Sequence, residues 1–257
     1  MSEFVVDLRD LGHVYPDATV ALSAVSLRVA AGECVGIVGA NGAGKSTLLL
    51  HLNGCLLPTT GEVQLGGQRV ETRSLPAIRR SVGLVFQDPD DQLFMATVFE
   101  DVAFGPLNLG FSRAEAERVT QEALSRVGAW PLRDRAPYRL SVGERKRVAI
   151  ATVLSMSPEV LVLDEPTAGL DPFARREILG LIRNFGQTTI IASHDLDMVA
   201  ELCPRIVVLD QGRVVADRSA REIFADQALL ERCRLAQPLS LQHCPLCGAP
   251  GKLRGRP

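Results

Sequence analysis

Two short stretches have the residue types and spacing needed for phosphate chemistry. Gly39-Ala-Asn-Gly-Ala-Gly-Lys-Ser-Thr47 follows the pattern G-x-x-x-x-G-K-[ST]. Gly39, Ala40, Asn41, Gly42, Ala43 and Gly44 are small enough for the backbone to wrap tightly, so that successive N–H groups face phosphate oxygens. The helix expected from about Lys45 adds the positive end of its dipole. Lys45 can then reach the β- and γ-phosphates of a nucleotide, the Ser46 hydroxyl can ligand Mg²⁺, and Thr47 completes the loop. The second stretch, Val160-Leu-Val-Leu-Asp-Glu165, is an apolar run ending in two carboxylates. Asp164 at a strand end would stand near the Mg²⁺ shell, with Glu165 poised to polarise an attacking water. A chance glycine-rich turn and a solvated acidic pair are the bland alternatives, and the presence of both stretches in one chain counts against each.

The elements around these residues read as an α/β layer. Glu33–Val38 is a continuous apolar run, as expected of a strand buried on both faces, and it feeds the glycine-rich turn. Phe4–Leu8, Leu22–Val29 and Glu62–Leu65 are short, β-rich and bounded by turn residues. Ser112-Arg-Ala-Glu115 has capping-box spacing, followed by Val119, Ala123, Leu124 and Val127 at helical spacing and a Gly128 stop. Residues 88–157 therefore read as a helical insertion. Beyond it, Asp171-Pro172 starts a helix with Phe173, Ile178, Ile182 and Phe185 expected along one face and Gly186 closing it. Thr188–Ala192 is a strand, and Ile206–Leu209 and Arg213–Val215 flank a Gln211-Gly212 hairpin turn. Strand–helix alternation predicts a mainly parallel core sheet, accompanied by an antiparallel β subdomain and a helical subdomain.

With 257 residues, of which 46% are hydrophobic, the chain can bury a large core. A net charge of -2 argues against a nucleic-acid partner. The apolar runs are strand-sized, far short of the roughly 20 residues of a membrane span, and the N-terminus lacks the basic-then-apolar pattern of a signal peptide. A cytoplasmic location is expected, in keeping with scattered Cys34, Cys55 and Cys203 as reduced, buried thiols.

Between the two phosphate motifs, Leu140-Ser-Val-Gly-Glu144 followed by Arg145-Lys-Arg-Val-Ala-Ile-Ala151 resembles the signature sequence of ABC ATPases. Gln87 after the strand Val82–Phe86, Ala168-Gly-Leu-Asp171 and His194 stand in the order of the same family. The resemblance covers the chain to about residue 225, an ATPase domain with 226–257 as a tail. It implies the P-loop fold and ATP hydrolysis with Mg²⁺ held by Ser46, Gln87 and Asp164. It also implies Tyr15 stacking on adenine, Ser141 and Gly143 contacting the γ-phosphate held by a second subunit, Glu165 as general base and His194 clamping the γ-phosphate. Asp171 either crosses to the partner or simply caps a helix. A two-subunit sandwich follows, as homodimer or heterodimer. Val142 and Glu144 depart from the commoner Gly-Gly-Gln. Val would pack poorly if a positive φ were required, and Glu144 brings a carboxylate toward a polyphosphate, so weaker affinity is expected.

Phe86-Gln-Asp-Pro-Asp-Asp-Gln-Leu-Phe94, Val98–Leu107 and Tyr15-Pro-Asp-Ala-Thr19 look like the ATPase of energy-coupling-factor importers, with the cobalt/nickel branch preferred over the vitamin branch. Such a subunit would sit on the cytoplasmic face of the membrane with a transmembrane coupling protein and a small substrate-binding membrane protein. Leu93, Phe94 and Met95 would either offer that partner an apolar pocket or be core. In the tail, His243-Cys-Pro-Leu-Cys247 is half of a zinc-knuckle pattern. Cys233, His243, Cys244 and Cys247, or two such tails in a dimer, are candidates for a zinc, cobalt or nickel site; free thiols are the alternative. Rival readings are a soluble, non-transport ABC ATPase and a small-molecule P-loop kinase.

Overall fold

The apolar runs become the strands of two sheets in the computed structural model, which describes residues 4–242. The first sheet is antiparallel and contains β1 (Phe4–Val14), β2 (Val20–Ala30), β4 (Thr60–Leu65) and β5 (Gln68–Arg69), in the order β2-β1-β4-β5. Its strands alternate as a half-buried sheet should: in β2, Val25, Leu27 and Val29 face inward while Ser26 and Arg28 face out. The second sheet, ordered β10-β9-β3-β8-β7-β6, has five parallel strands: β3 (Cys34–Val38), β6 (Val82–Val85), β7 (Val160–Asp164), β8 (Thr188–Ala192) and β9 (Arg205–Asp210). Only β10 (Arg213–Ser219) runs antiparallel, joined to β9 by the expected turn, with φ of 46° at Gln211 and 75° at Gly212. Positive φ at both positions matches the twist of a two-residue hairpin.

The parallel sheet is a wall between two cores. Because side chains alternate along a strand, Val160 and Val162 of β7 enter one core, while Leu161 and Leu163 enter the other. The first core lies between the two sheets and also takes Leu48, Leu49 and Leu52 of α1 (Lys45–Leu52) and Ile78 of α2 (Leu75–Ser81). The second lies under α3 (Val98–Asn108), α4 (Arg113–Arg126), α5 (Val142–Leu154), α6 (Pro172–Arg183) and α7 (Leu196–Leu202). Helices α3, α4 and α5 pack on one another, and each begins with a complete capping box: Thr97 with Glu100, Ser112 with Glu115, Ser141 with Glu144. Each such cap is worth about 1 kcal/mol. Gly128 follows α4 at φ 68°.

Two expectations need correction. Phe173 is 70% exposed, and α6 buries Ile178, Leu179 and Ile182 instead. Five residues of helix turn about 500°, so positions 173 and 178 lie on different faces. The helix also ends at Arg183 with Asn184 as its cap, so Phe185 lies beyond it. Residues placed with the tail, on the other hand, form α9 (Gln227–Arg232) directly after α8 (Ala220–Ala225), and its Leu229 and Leu230 are buried in the second core with Cys233. Among the described residues no helix is long and apolar enough to cross a membrane.

Candidate nucleotide site

Four of the parallel strands end on one edge of the sheet, in the spatial order β3, β8, β7, β6. Each is followed by one of the singled-out motifs: Gly39–Thr47 after β3, Ser193-His194 after β8, Asp164-Glu165 at the end of β7, and Gln87 just past β6. Residues more than a hundred positions apart thereby meet, because parallel strands place all their carboxyl ends on one side.

The loop after β3 has the expected tight wrap. Gly42 and Gly44 have φ of 80° and 101°, and a Cβ on Gly39 would run into the carbonyl oxygen of Leu209. Lys45 is buried, with its Nζ donating to the carbonyl oxygens of Gly39 at 2.8 Å and Ala40 at 3.1 Å. Burial lowers its pKa, and the carboxylates of Glu165 and Asp164 pull the other way. The Tyr15 hydroxyl is 3.0 Å from Thr47 Oγ1, so the tyrosine is tied to the first turn of α1, and its ring meets His13 edge-on. His13 in turn lies 3.2 Å from Nε2 of the fully buried His51, whose Nδ1 is 2.7 Å from the carbonyl oxygen of Thr47.

At the end of β7, Asp164 is buried and its Oδ1 has no hydrogen-bond partner. Burial raises its pKa, while the neighbouring Ser46 hydroxyl lowers it. An orphaned carboxylate oxygen beside a serine hydroxyl suits a hard, oxygen-liganded cation, so the residues present fit Mg²⁺. Glu165 is 6% exposed and unusual in two ways. Its backbone is left-handed, at φ 45°. Its carboxylate is fully engaged: Oε2 accepts from Ser193 Oγ at 2.7 Å, and Oε1 accepts from His194 N at 2.9 Å and lies 2.7 Å from His194 Nδ1.

The residue pattern of the ABC transporter family matches residues 22–168. The chain belongs to the ABC transporter ATPases. A Geobacter sulfurreducens protein is 62% identical over 248 residues, covering 96% of this chain and all of its own length. The energy-coupling factor transporter ATP-binding protein EcfA of Methanothermobacter thermautotrophicus is 48% identical over 239 residues, 91% of this chain and 77% of that protein. Among solved structures, cbiO1 of Clostridium perfringens, part of the ABC transporter complex cbiONQ, superposes with a TM-score of 0.79 at 39% identity over 90% of this chain and 94% of its own. The chain is thus an ABC-type ATP hydrolase, with the P-loop fold expected from its sequence.

The signature stretch of the ATPase stands apart from these groups. Ser141 is exposed and caps α5, its Oγ accepting from Glu144 N at 3.2 Å. Gly143 packs closely on α6, where a Cβ would meet Ala174 Cβ at 3.0 Å. Val142 is the first helical residue and needs no positive φ, so the strain feared for a β-branched side chain there is absent. Glu144 turns back to accept from Ser141 N at 2.8 Å, and that bond holds its carboxyl below the usual range. Asp171 is an N-cap, its Oδ1 accepting from Phe173 N and Ala174 N at 2.8 and 2.9 Å.

Three residues that motif reasoning missed hold this region together. Lys146 Nζ donates to the carbonyl oxygens of Glu165 at 2.8 Å and Gln87 at 3.2 Å. Gln92 accepts from Phe86 N and donates to Ala149 O and Thr152 Oγ1. Asp101, buried on α3, accepts from Phe94 N and Met95 N, both at 3.0 Å. A signal for Lys146 was present: it lies on the stripe of Ala149, Ile150 and Val153, where an apolar residue is expected. Of the 93–95 trio, Leu93 belongs to the core while Phe94 is 64% exposed and stacks edge-on with Phe104 at 5.0 Å.

His243, Cys244 and Cys247 lie outside the described residues. Cys233, offered as a fourth ligand, is buried in the second core, where burial raises its thiol pKa. Among the described residues no group of three or more His, Cys, Asp or Glu is arranged to hold a metal ion.

Proposed function

We propose that the chain is the ATP-hydrolysing subunit of an energy-coupling-factor type importer, docked on the cytoplasmic face of the membrane. The observation that carries this reading is the exposed apolar groove beside the Gln87 loop. It is lined by Met95, Phe99, Phe104 and Leu107, with Phe94 at its edge. An amphipathic helix of a transmembrane coupling protein fits such a groove through its apolar face. The names of EcfA and of the cbiONQ complex support the same reading. On the resemblance of the stretches around Tyr15 and after Gln87, cobalt or nickel is the proposed cargo, delivered by a small substrate-binding membrane protein, with a vitamin as the alternative.

In this reading the loop amides of 39–44 and Lys45 bind the triphosphate, and Tyr15 receives the adenine. Ser46, Asp164 and Gln87 would hold Mg²⁺, which when bound neutralises charge between the β- and γ-phosphates. Glu165 accepts the proton of the attacking water. Ser193 and His194 orient its carboxylate, and the exposed imidazole of His194 faces the phosphate. The Ser141 hydroxyl, which accepts from its own helix, keeps its proton to donate across a dimer to the γ-phosphate of the second subunit, beside Gly143. The dimer pairs two such chains or this chain with a relative. A transition metal on Cys244 and Cys247 belongs to the same proposal on its Cys-x-x-Cys spacing alone; unchanged bound zinc, cobalt and nickel after both are replaced by Ser would remove it.

The test is purification of the tagged chain from gently solubilised native membranes. Co-purification of two membrane proteins, lost on Phe94→Asp, is the expected result. A chain that keeps its ATPase activity but brings no membrane protein would favour a soluble ABC ATPase.

A further inference from the structure

Lys146 has no role in the motif-based account, yet its ammonium sits between two of the groups on which hydrolysis depends. The side chain rises from the second turn of α5, is 5% exposed, and donates to the backbone carbonyls of Glu165 and Gln87. Its neighbours in the basic run turn elsewhere: Arg145 to Asp90 at 3.1 Å and the Leu140 carbonyl, Arg147 to Glu177 at 3.3 Å. Burying an ammonium is costly, and an apolar side chain of similar length in a helical stripe would serve packing as well or better. Stability therefore does not explain a lysine here.

The carbonyls it holds are telling. Glu165 is in the left-handed region, where a residue with a Cβ stays only if its surroundings fix it. Its carbonyl oxygen accepts from Ala168 N at 3.1 Å as well as from Lys146 Nζ. A charge-assisted bond on that oxygen fixes the peptide plane following the base, and with it the direction in which the carboxylate leaves the backbone. The same ammonium grips the first residue of the loop running from Gln87 to the exposed Phe94, and Gln92 fastens that loop to α5 one helical turn further on.

We propose that Lys146 is a positioning residue for ATP hydrolysis, a post on the signature helix that sets the backbone of Glu165 and the start of the Gln87 loop together. The inference rests on the reading of Glu165 as the base. The contribution is to the chemical step, since Lys146 donates to the backbone of Gln87 and Glu165 rather than to the phosphate loop or Tyr15.

The test is ATPase kinetics and equilibrium ATP affinity of the full-length chain carrying Lys146→Met, with Lys146→Arg and Lys146→Gln as companions. Lys146→Met is expected to lower kcat by about tenfold or more while the Kd for ATP changes less than about threefold and Tm does not fall. Lys146→Arg, which keeps charge and two donors, should recover most of the rate, and Lys146→Gln, with two neutral donors, should fall between. A Lys146→Met kcat within about twofold of the parent would overturn the proposal. So would parallel losses of rate, affinity and Tm in all three variants, which would mark a structural role only. Glu165→Gln separates the two readings. If that variant turns over normally, the base assignment fails; if it is inactive while Lys146→Met is normal, the Lys146 inference alone fails.

Discussion

The phosphate loop with the end of β7, and the signature stretch with the Gln87 loop, are built in opposite ways. The first is made of backbone and buried charge. Glycines at positive φ wrap the loop, Lys45 is satisfied by carbonyls within it, and the Glu165 carboxylate is saturated by Ser193 and His194. The second is made of helix caps and exposed surface. Ser141 and Glu144 satisfy each other, Phe94 and Phe173 stand in solvent, and the Gln87 side chain is exposed. One region is complete in a single chain. The other presents groups whose outward faces have no counterpart among the described residues, as expected of surfaces that meet other proteins.

This contrast can be broken experimentally. The largest effect should come from Glu165→Gln, which removes the proposed base and should lower turnover by about 10²–10⁴ while ATP still binds. Steady-state turnover alongside nucleotide binding checks it, and normal turnover would move the base elsewhere. Lys45→Ala should lose about 10²–10³ in turnover, this time with weaker ATP binding. Because it deletes a desolvated ammonium, Tm should not fall much; a large fall would show that the loop needs Lys45 to fold.

In the second region, effects should split between stability and association. Ser141→Ala removes the α5 cap and should cost about 1 kcal/mol in urea unfolding. It should also reduce turnover more at low protein concentration than at high if the hydroxyl serves a second subunit, and a dilution-independent loss would argue against that sharing. Glu144→Gln keeps the shape of the cap but removes a charge. The expected outcome is a modest fall in the ATP concentration for half-maximal turnover, about two- to fivefold, with Tm nearly unchanged. No change would mean that the carboxylate is already too well occupied by Ser141 N to be felt by phosphate.

The smallest effect concerns the brace behind His194. Arg175 forms a two-pronged ion pair with Asp195, Nε to Oδ2 at 2.8 Å and Nη2 to Oδ1 at 3.1 Å, and Thr167 adds a third bond. Burial pushes the Asp195 carboxyl up, but the guanidinium, the Met198 N–H and the Thr167 hydroxyl outweigh it, and the net shift is downward. A pKa depressed in the folded state stabilises the fold above the ordinary carboxylate range and loses that contribution as pH falls through the folded value. Arg175→Gln should therefore cost about 1 kcal/mol at neutral pH, discounted for partial exposure, and progressively less below about pH 4. Urea midpoints across that range would show it, and a cost independent of pH would assign the effect to packing instead.

Much of this site was legible because its chemistry demands a fixed spacing along the chain. A loop that must aim successive amides at phosphate needs Gly39, Gly42, Gly44 and Lys45 in that order, and a buried strand ending in Asp164-Glu165 announces itself by its run of apolar residues. Capping boxes are equally local, since Ser112 and Glu115, or Ser141 and Glu144, meet within one turn. Reading failed where a short window was extended too far, as with Phe173 and Phe185 on α6.

The sequence by itself determined the candidate residues for chemistry and the elements that carry them, because hydrogen bonds within a turn, φ preferences and strand periodicity act over a few residues. Only the tertiary structure decided which of those residues meet. The order β3-β8-β7-β6 puts Ser193 and His194 on the carboxylate of Glu165, burial leaves Asp164 Oδ1 without a partner, and the docking of α5 carries the Lys146 ammonium onto Glu165 and Gln87. Such contacts span tens of residues, and their partners are selected by sheet order and core packing, which no local pattern records.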